Sequence, residues 1–138
     1  MIVIDYLQLL RSDKWYSNRA AEVGDISKSV KALAMELNIP IIVLSQLNRV
    51  SEMRENKEPT MAEMRESGDI EQDASNILLL WNTDADDNTR KAIKIEKQRQ
   101  GENGKIGLYF NGSQMRFEEV EYQKPDGFMK PEEKTPFD

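Results

Sequence analysis

The first ten residues constrain the fold of this chain more than any other stretch. Met1 to Ile4 are all apolar and run directly into Asp5. A continuous apolar, β-branched run of this kind predicts a strand buried on both faces, as in a parallel sheet. A carboxylate at the end of such a strand is costly unless that position requires negative charge, and open α/β sheets bind ligands there. We therefore expect Asp5 either to hold Mg²⁺ through water, as in nucleotide-binding enzymes, or merely to cap the strand or start a turn.

A long amphipathic helix is predicted after the first strand. Apolar residues spaced by three and four indicate a helix over Arg19–Leu37. Ser17 or Asn18 can cap its start. Asn38 can end it, and Pro40 prevents its continuation.

A second apolar strand follows the helix. It covers Ile41 to Leu44 and ends in Ser45 and Gln46. A strand, helix and strand of these lengths form a βαβ crossover, so the two strands should be parallel. Asp5 and Gln46 then lie at the same edge of the sheet. A carboxylate can hold Mg²⁺, and a carboxamide beside it can orient water or a γ-phosphate, so this pair suits phosphate hydrolysis. The plainer alternative is that strand ends are often polar in any case.

The second half of the chain is predicted to contain short helices and alternating strands. Thr60 to Glu63 matches a capping box, so a short helix should begin there and end at Gly68, with a further helical turn near 70–74. Strands are predicted at 77–81, 92–97, 106–110 and 115–117, with a hairpin turn at Asn111-Gly112 between the last two. These antiparallel strands should finish a sheet that begins parallel, which gives an α/β fold class.

Composition narrows the possible functions. The 138 residues suffice for one domain with a modest core. The chain contains no cysteine and no histidine, which excludes disulfides, thiolate metal sites and a histidine general base. No apolar run approaches the ~20 residues of a membrane helix, and no signal peptide is visible, so we expect a cytoplasmic protein. The net charge of −6 argues against a broadly basic nucleic-acid surface but allows local phosphate contacts.

Four stretches of the chain resemble successive motifs of the DnaB-type replicative helicases. They are Asp5–Leu9, Leu44–Arg49, Arg65–Ala74 and Lys97–Arg99, and they occur in the family's order and at sensible spacing. The resemblance covers roughly Ile2 to Glu118, and the run over Arg65–Ala74 is its most specific part.

The resemblance implies the carboxyl-terminal half of a RecA-like P-loop NTPase domain, in a motor that assembles as a homo-hexameric ring. ATP would bind between neighbouring subunits, and single-stranded DNA would pass through the central channel. Asp5 would be the Walker B aspartate, which holds Mg²⁺ through water, and Gln46 would sense the γ-phosphate. Lys97 and Arg99 would be the basic pair that reaches a neighbour's ATP site, with Arg99 as the arginine finger.

The same resemblance implies a DNA contact. Arg65, Glu66 and Gly68 match a loop whose side chains and backbone amides bind DNA phosphates, and a glycine lets the backbone approach a phosphate closely. A primase and a helicase loader are possible partners, and no membrane is implied. Each residue has a plainer alternative when it is taken singly. Arg65 and Glu66 could form a helix-surface pair, and Lys97 and Arg99 could be a solvated strand end.

Some features depart from the family. The sequence contains no Gly-x-x-x-x-Gly-Lys-Ser/Thr phosphate loop, which the family carries upstream of the Walker B strand. We therefore expect a fragment that does not hydrolyse ATP alone, with a partial motor domain over residues 1–121 and a disordered, Pro-rich tail over Tyr122–Asp138. Ser75 stands where the family usually has an acidic residue, and Gln100–Gly104 differs from the family's usual loop.

The first hypothesis is thus part of an ATP-dependent helicase that unwinds duplex DNA by translocating on single strands. A second is a recombinase-like or clock-type RecA ATPase without helicase activity. A third is a non-catalytic module that binds DNA or partners and lacks the phosphate loop.

Overall fold

A computed structural model of the chain describes residues 1–47, 58–64, 67–84 and 86–122. Their strands are β1 (Ile2–Ile4), β2 (Ile41–Val43), β3 (Asn76–Asn82), β4 (Arg90–Gln98), β5 (Gly104–Asn111) and β6 (Arg116–Val120). Their α-helices are α1 (Arg19–Leu37) and α2 (Ser67–Asp73), with short 3₁₀ turns at Leu7–Leu9 and Met61–Glu63. No helix among these residues is long and apolar enough to cross a membrane.

The parallel crossover predicted for the first half is confirmed. β1 and β2 are parallel, with Ile2 opposite Ile41. Val43 of β2 packs against a core cluster of Leu7, Val23 and Ile26, so α1 covers one face of the pair. The prediction that these strands are buried on both faces is wrong for the described residues.

The other face of the parallel pair is open because alternate side chains of a strand point to opposite sides. Val3 is 56% exposed and Ile42 is 49% exposed. Neither is covered by the described part of the chain.

Helix α1 has the bounds that its sequence predicts, and both caps are explained locally. The Asn18 side chain accepts a hydrogen bond from the Ala21 backbone N–H at 2.9 Å, which satisfies one of the unpaired amides of the first turn. Asn38 adopts the left-handed conformation, with φ of 50° and ψ of 45°, and its N–H donates to the carbonyls of Ala34 and Met35.

The later strands form a separate antiparallel sheet in the order β3-β4-β5-β6. The Asn111-Gly112 hairpin is confirmed, since Asn111 pairs with Arg116 across the turn between β5 and β6. The expectation of one continuous sheet is wrong within the described residues, because β3 pairs with β4 and not with β2. Among the described residues, an isolated antiparallel bridge between Leu47 and Met64 is one link between the two halves.

The second helical region differs from its prediction at Gly68. The capping-box contact is present, because the Thr60 N–H donates to the Glu63 carboxylate at 3.1 Å, yet it begins only a 3₁₀ turn. Gly68 lies inside α2 instead of ending a helix. The physical reason is tertiary packing. Asp69 of α2 lies against Gly24 of α1 and pairs with Lys28 at 3.0 Å, and these contacts stabilise the helix around Gly68.

The close approach of α2 to α1 yields a stability prediction. A Cβ at Gly24 would lie 2.2 Å from Asp69 Oδ2 and 3.2 Å from Asp69 Cβ. Gly24→Ala should therefore displace Asp69, break its pair with Lys28 and lower the free energy of unfolding by about 1–2 kcal/mol. Gly68→Ala is the matched control, because open space surrounds that position and alanine is the better helix residue. Chemical denaturation of both variants checks this, and equal stabilities would contradict the packing argument.

A cluster of charges ties the segment before Thr60 to the antiparallel sheet. The Glu58 carboxylate, only 16% exposed, lies 2.6 Å from Lys105 Nζ and 3.3 Å from Lys94 Nζ. Burial raises the pKa of Glu58, but hydrogen bonds from the two ammonium groups outweigh it, so the pKa is lowered from its usual 4.5. The pKa of Lys94 is raised, chiefly by its hydrogen bond to Glu96.

These shifts predict a loss of stability in acid. A carboxyl whose pKa is lower in the folded state stabilises the fold above its ordinary pKa of 4.5, and this contribution disappears as the pH falls further. Glu58→Gln should lower the free energy of unfolding by about 1 kcal/mol at neutral pH and by much less near pH 3. Denaturation curves at both pH values check this, with exposed Glu102→Gln as control. A pH-independent difference would contradict the assignment.

Candidate nucleotide and DNA site

The carboxyl ends of β1 and β2 bring two predicted site residues to one edge of the parallel pair. Asp5 directly follows β1, and Gln46 lies three residues beyond β2. Backbone hydrogen bonds join the segments that follow the two strands, here called the strand exits. They run from Leu44 N to Ile4 O at 2.9 Å and from Leu7 N to Leu44 O at 2.8 Å. The shared edge inferred from the βαβ pattern is therefore observed.

Asp5 is exposed at this edge, and no hydrogen bond or ion pair engages its carboxylate among the described residues. The same part of the chain contains no group of three or more acidic, His or Cys side chains that could hold a metal ion. A lone, accessible carboxylate does not make a complete protein cage. It does fit Mg²⁺, which keeps several waters and is usually bound through one or two carboxylates together with substrate phosphates.

Gln8 was not among the residues predicted for the site, yet it bridges the two strand exits. Its Nε2 donates to Ser45 Oγ at 2.9 Å, and its Oε1 accepts from the Gln46 backbone N–H at 3.4 Å. Its position three residues after Asp5, in a stretch that resembles a family motif, is the only sequence signal that could have found it.

Lys97 lies at the end of β4 and contacts α2 of its own chain. Its Nζ donates to the carbonyl of Glu71 at 2.5 Å and lies 3.5 Å from that of Gln72. These carbonyls belong to the last turn of α2, where backbone acceptors lack helical partners and favour a cation. The ammonium therefore connects β4 to the helix that contains Gly68, and the predicted reach of Lys97 to a neighbouring subunit stays a prediction.

Arg99 is exposed in the loop that follows β4. Side chains close the base of this loop: Gln98 Nε2 donates to Gln100 O at 2.7 Å, and Asn103 Nδ2 donates to Glu96 O at 3.1 Å. A loop held at its base presents the Arg99 guanidinium outward from a defined position. Its role as an arginine finger stays a prediction.

The predicted DNA contact is described only in part. Gly68 is exposed in the first turn of α2, with open space where a side chain would project. Arg65 and Glu66 lie outside the described residues, as do residues 123–138 of the predicted tail. Ser75, a departure from the family pattern, accepts a hydrogen bond from Lys31 Nζ at 2.8 Å.

Known proteins similar to this chain include replicative DNA helicases. Replicative DNA helicase DnaB of Haemophilus influenzae is 44% identical over 129 residues, which cover 90% of this chain and 28% of that protein. The DnaB of Geobacillus stearothermophilus is 46% identical over 127 residues, which cover 88% of this chain and 28% of that protein. The chain thus spans little more than a quarter of the length of these relatives.

Solved structures share the fold. One is a DnaB-like replicative helicase described together with its interactions with primase; it has a TM-score of 0.72 at 36% identity, over 80% of this chain and 28% of that chain. Another, described as an ATPase domain, has a TM-score of 0.77 at 35% identity, over 86% of this chain and 44% of that chain. These matches confirm the α/β fold class.

The family model for the DnaB-like helicase C terminal domain matches residues 1–119. That span includes all four motif stretches and nearly all of the described residues. The resemblance inferred from the motifs is therefore confirmed, and the chain belongs to the family of DnaB-like helicase C-terminal domains.

Proposed function

We propose that this chain is part of an ATP-dependent replicative DNA helicase that unwinds duplex DNA by translocating on single-stranded DNA as a hexameric ring. The observation that carries the proposal is the placement of Asp5 and Gln46 at one edge of the parallel pair, in a chain of this family. Ligands of α/β sheets bind at this edge, where a carboxylate and a carboxamide suit a nucleotide phosphate.

The two edge residues have distinct proposed roles. The exposed Asp5 carboxylate would hold Mg²⁺ through water, and the metal would neutralise charge on the nucleotide phosphates. The Gln46 carboxamide donates a hydrogen bond to the γ-phosphate or orients the attacking water. A phosphate loop elsewhere in the full-length gene product would complete the site.

Lys97 and Arg99 are proposed to act on the ATP site of a neighbouring subunit. The closed base of the Arg99 loop and the exposure of its guanidinium support this assignment. A head-to-tail interface of this kind generates a ring when the rotation closes, which agrees with a homo-hexamer.

Single-stranded DNA is proposed to bind near the start of α2. Gly68 leaves space for a phosphate beside the backbone, and Arg65 and Glu66 precede it in the sequence. Primase is a proposed partner by analogy with the DnaB-like relative, and a helicase loader is a second one. We place this activity in the cytoplasm.

Activity of the full-length gene product tests the proposal. ATP hydrolysis is measured with and without single-stranded DNA, strand displacement is measured on a forked duplex, and native mass spectrometry gives the subunit count. We expect hydrolysis stimulated by DNA, unwinding that requires ATP, and a hexamer.

Other results would favour the other two hypotheses. ATP hydrolysis without unwinding would indicate a RecA-like ATPase that is not a helicase. DNA binding without hydrolysis, unchanged in Asp5→Ala, would indicate a non-catalytic module.

A further inference from the structure

The side chain of Gln8 uses both ends of its carboxamide to join the two strand exits. Nε2 donates to Ser45 Oγ, and Oε1 accepts from the backbone N–H of Gln46. Because a backbone N–H can only donate, the oxygen of Gln8 must face Gln46, and this contact fixes the orientation of the amide. Gln8 is therefore oriented by its partners and cannot rotate without losing one of them.

The backbone of Gln8 is itself held in place from α1. Arg19 Nη2 donates to the carbonyls of Gln8 at 2.8 Å and Leu10 at 3.0 Å. Arg19 Nη1 also pairs with Glu22 at 2.6 Å, and Glu22 accepts the N–H of Ser12 at 2.9 Å. The segment after β1 is thus tied to the helix, so Gln8 is a fixed point from which the segment after β2 can be positioned.

We propose that Gln8 is a positioning residue that holds the backbone of Gln46, and so aims the Gln46 carboxamide, relative to Asp5. This inference rests on the proposed function, since it assigns to Gln46 a contact with the γ-phosphate or the attacking water. Gln46 is exposed, and the hydrogen bond from its backbone N–H to Gln8 is the one that ties this residue to the β1 exit among the described residues. The 3.4 Å distance is long, and such contacts in unliganded sites often shorten when substrate binds.

The consequence for catalysis is geometric. Gln8 touches neither of the proposed reacting groups, so its loss should leave nucleotide affinity largely intact. It should instead widen the range of orientations that the Gln46 carboxamide adopts. Small errors in the placement of a catalytic group lower the rate of the chemical step substantially. We expect Gln8→Leu to lower kcat for ATP hydrolysis about 10-fold, with KM changed by less than about two-fold.

A double-mutant cycle in the full-length gene product separates positioning from general stabilisation. Gln8→Leu, Gln46→Ala and the double variant are compared for kcat, KM and thermal midpoint. If Gln8 acts through Gln46, the double variant is no slower than Gln46→Ala alone. If Gln8 merely stabilises the fold, the two losses of rate multiply and the proposal is overturned. Gln114→Leu, at an exposed glutamine of the β5–β6 turn, is the matched control and should keep the wild-type rate.

Two milder variants keep the test decisive should Gln8→Leu fold poorly. Gln8→Glu retains an acceptor for the Gln46 N–H, and the Ser45 hydroxyl can turn to donate to it, so it should recover most of kcat. Ser45→Ala removes only the other contact and should lower kcat less than Gln8→Leu. A Gln8→Glu variant as slow as Gln46→Ala would overturn the proposal.

Failure of this inference is distinguishable from failure of the proposed function. If Gln46→Ala slows hydrolysis and neither Gln8 variant does, only the positioning role is wrong. If Gln46→Ala itself leaves hydrolysis unchanged, the role proposed for Gln46 is wrong and the positioning role is overturned with it.

Discussion

Arg99→Ala is expected to lower ATP hydrolysis by the assembled ring about 10³–10⁵-fold, the range measured for arginine fingers. The guanidinium would stabilise charge that develops on the transferring phosphoryl group, so its loss should fall on kcat and leave ADP binding nearly unchanged. Arg99 is exposed and takes no part in either core cluster, so folding should be unaffected. Steady-state hydrolysis and ADP titration of the full-length gene product measure both quantities.

Mixed rings show whether Arg99 acts on a neighbour. Asp5→Asn subunits lack the proposed Mg²⁺ contact of their own site, and Arg99→Ala subunits lack the group offered to the next site. In a random equimolar ring with head-to-tail interfaces, roughly a quarter of the sites have both groups intact, so two inactive preparations should regain hydrolysis on mixing.

The outcome that contradicts the proposal is a mixture as inactive as its components. Arg116→Ala is the matched control for loss of a cation, because Arg116 is also exposed, lies on β6 of the sheet that contains β4, and pairs with Glu118 of its own chain. It should hydrolyse ATP at the wild-type rate. An equal loss in Arg116→Ala would mean that Arg99 acts through general electrostatics and not as a finger.

Local patterns predicted those parts of the fold that local physics determines. The periodicity over Arg19–Leu37 and the capping preferences of Asn18 and Asn38 gave the bounds of α1, because helix ends are decided by nearby backbone groups. The βαβ pattern likewise placed Asp5 and Gln46 at one edge, since a crossover of this length enforces parallel strands.

Features that depend on tertiary contacts were not predicted. The sequence predicts a helix end at Gly68, whereas α2 begins at Ser67 and includes Gly68, with the next residue, Asp69, packed against Gly24. The contacts of Lys97 with α2 and of Gln8 with Ser45 join residues that are distant in sequence, and no single-sequence pattern encodes such pairs. The chain forms two sheets because β3 pairs with β4 and not with β2. The alternation of apolar and polar residues along a strand does not specify which other strand it pairs with.

The second large effect is expected at Asp5. Asp5→Asn should lower ATP hydrolysis about 10²–10³-fold, because the neutral amide weakens the hold on Mg²⁺ that neutralises the phosphates. Asparagine has nearly the same shape, and the exposed Asp5 carboxylate has no hydrogen-bond or ion-pair partner in the described part of the chain, so the thermal midpoint should not change. Hydrolysis measured across a Mg²⁺ titration should show a raised metal requirement as well as a lower maximal rate.

Asp86→Asn makes the same chemical change at an exposed aspartate of the turn before β4 and should leave hydrolysis and its Mg²⁺ dependence unchanged. The contrast between the two variants tests whether position at the strand edge, and not charge alone, gives Asp5 its role. If Asp5→Asn kept full activity with an unaltered Mg²⁺ requirement, Asp5 would be only the cap of its strand. Any part of the shared edge of β1 and β2 in hydrolysis would then rest on Gln46 alone, which Gln46→Ala tests separately.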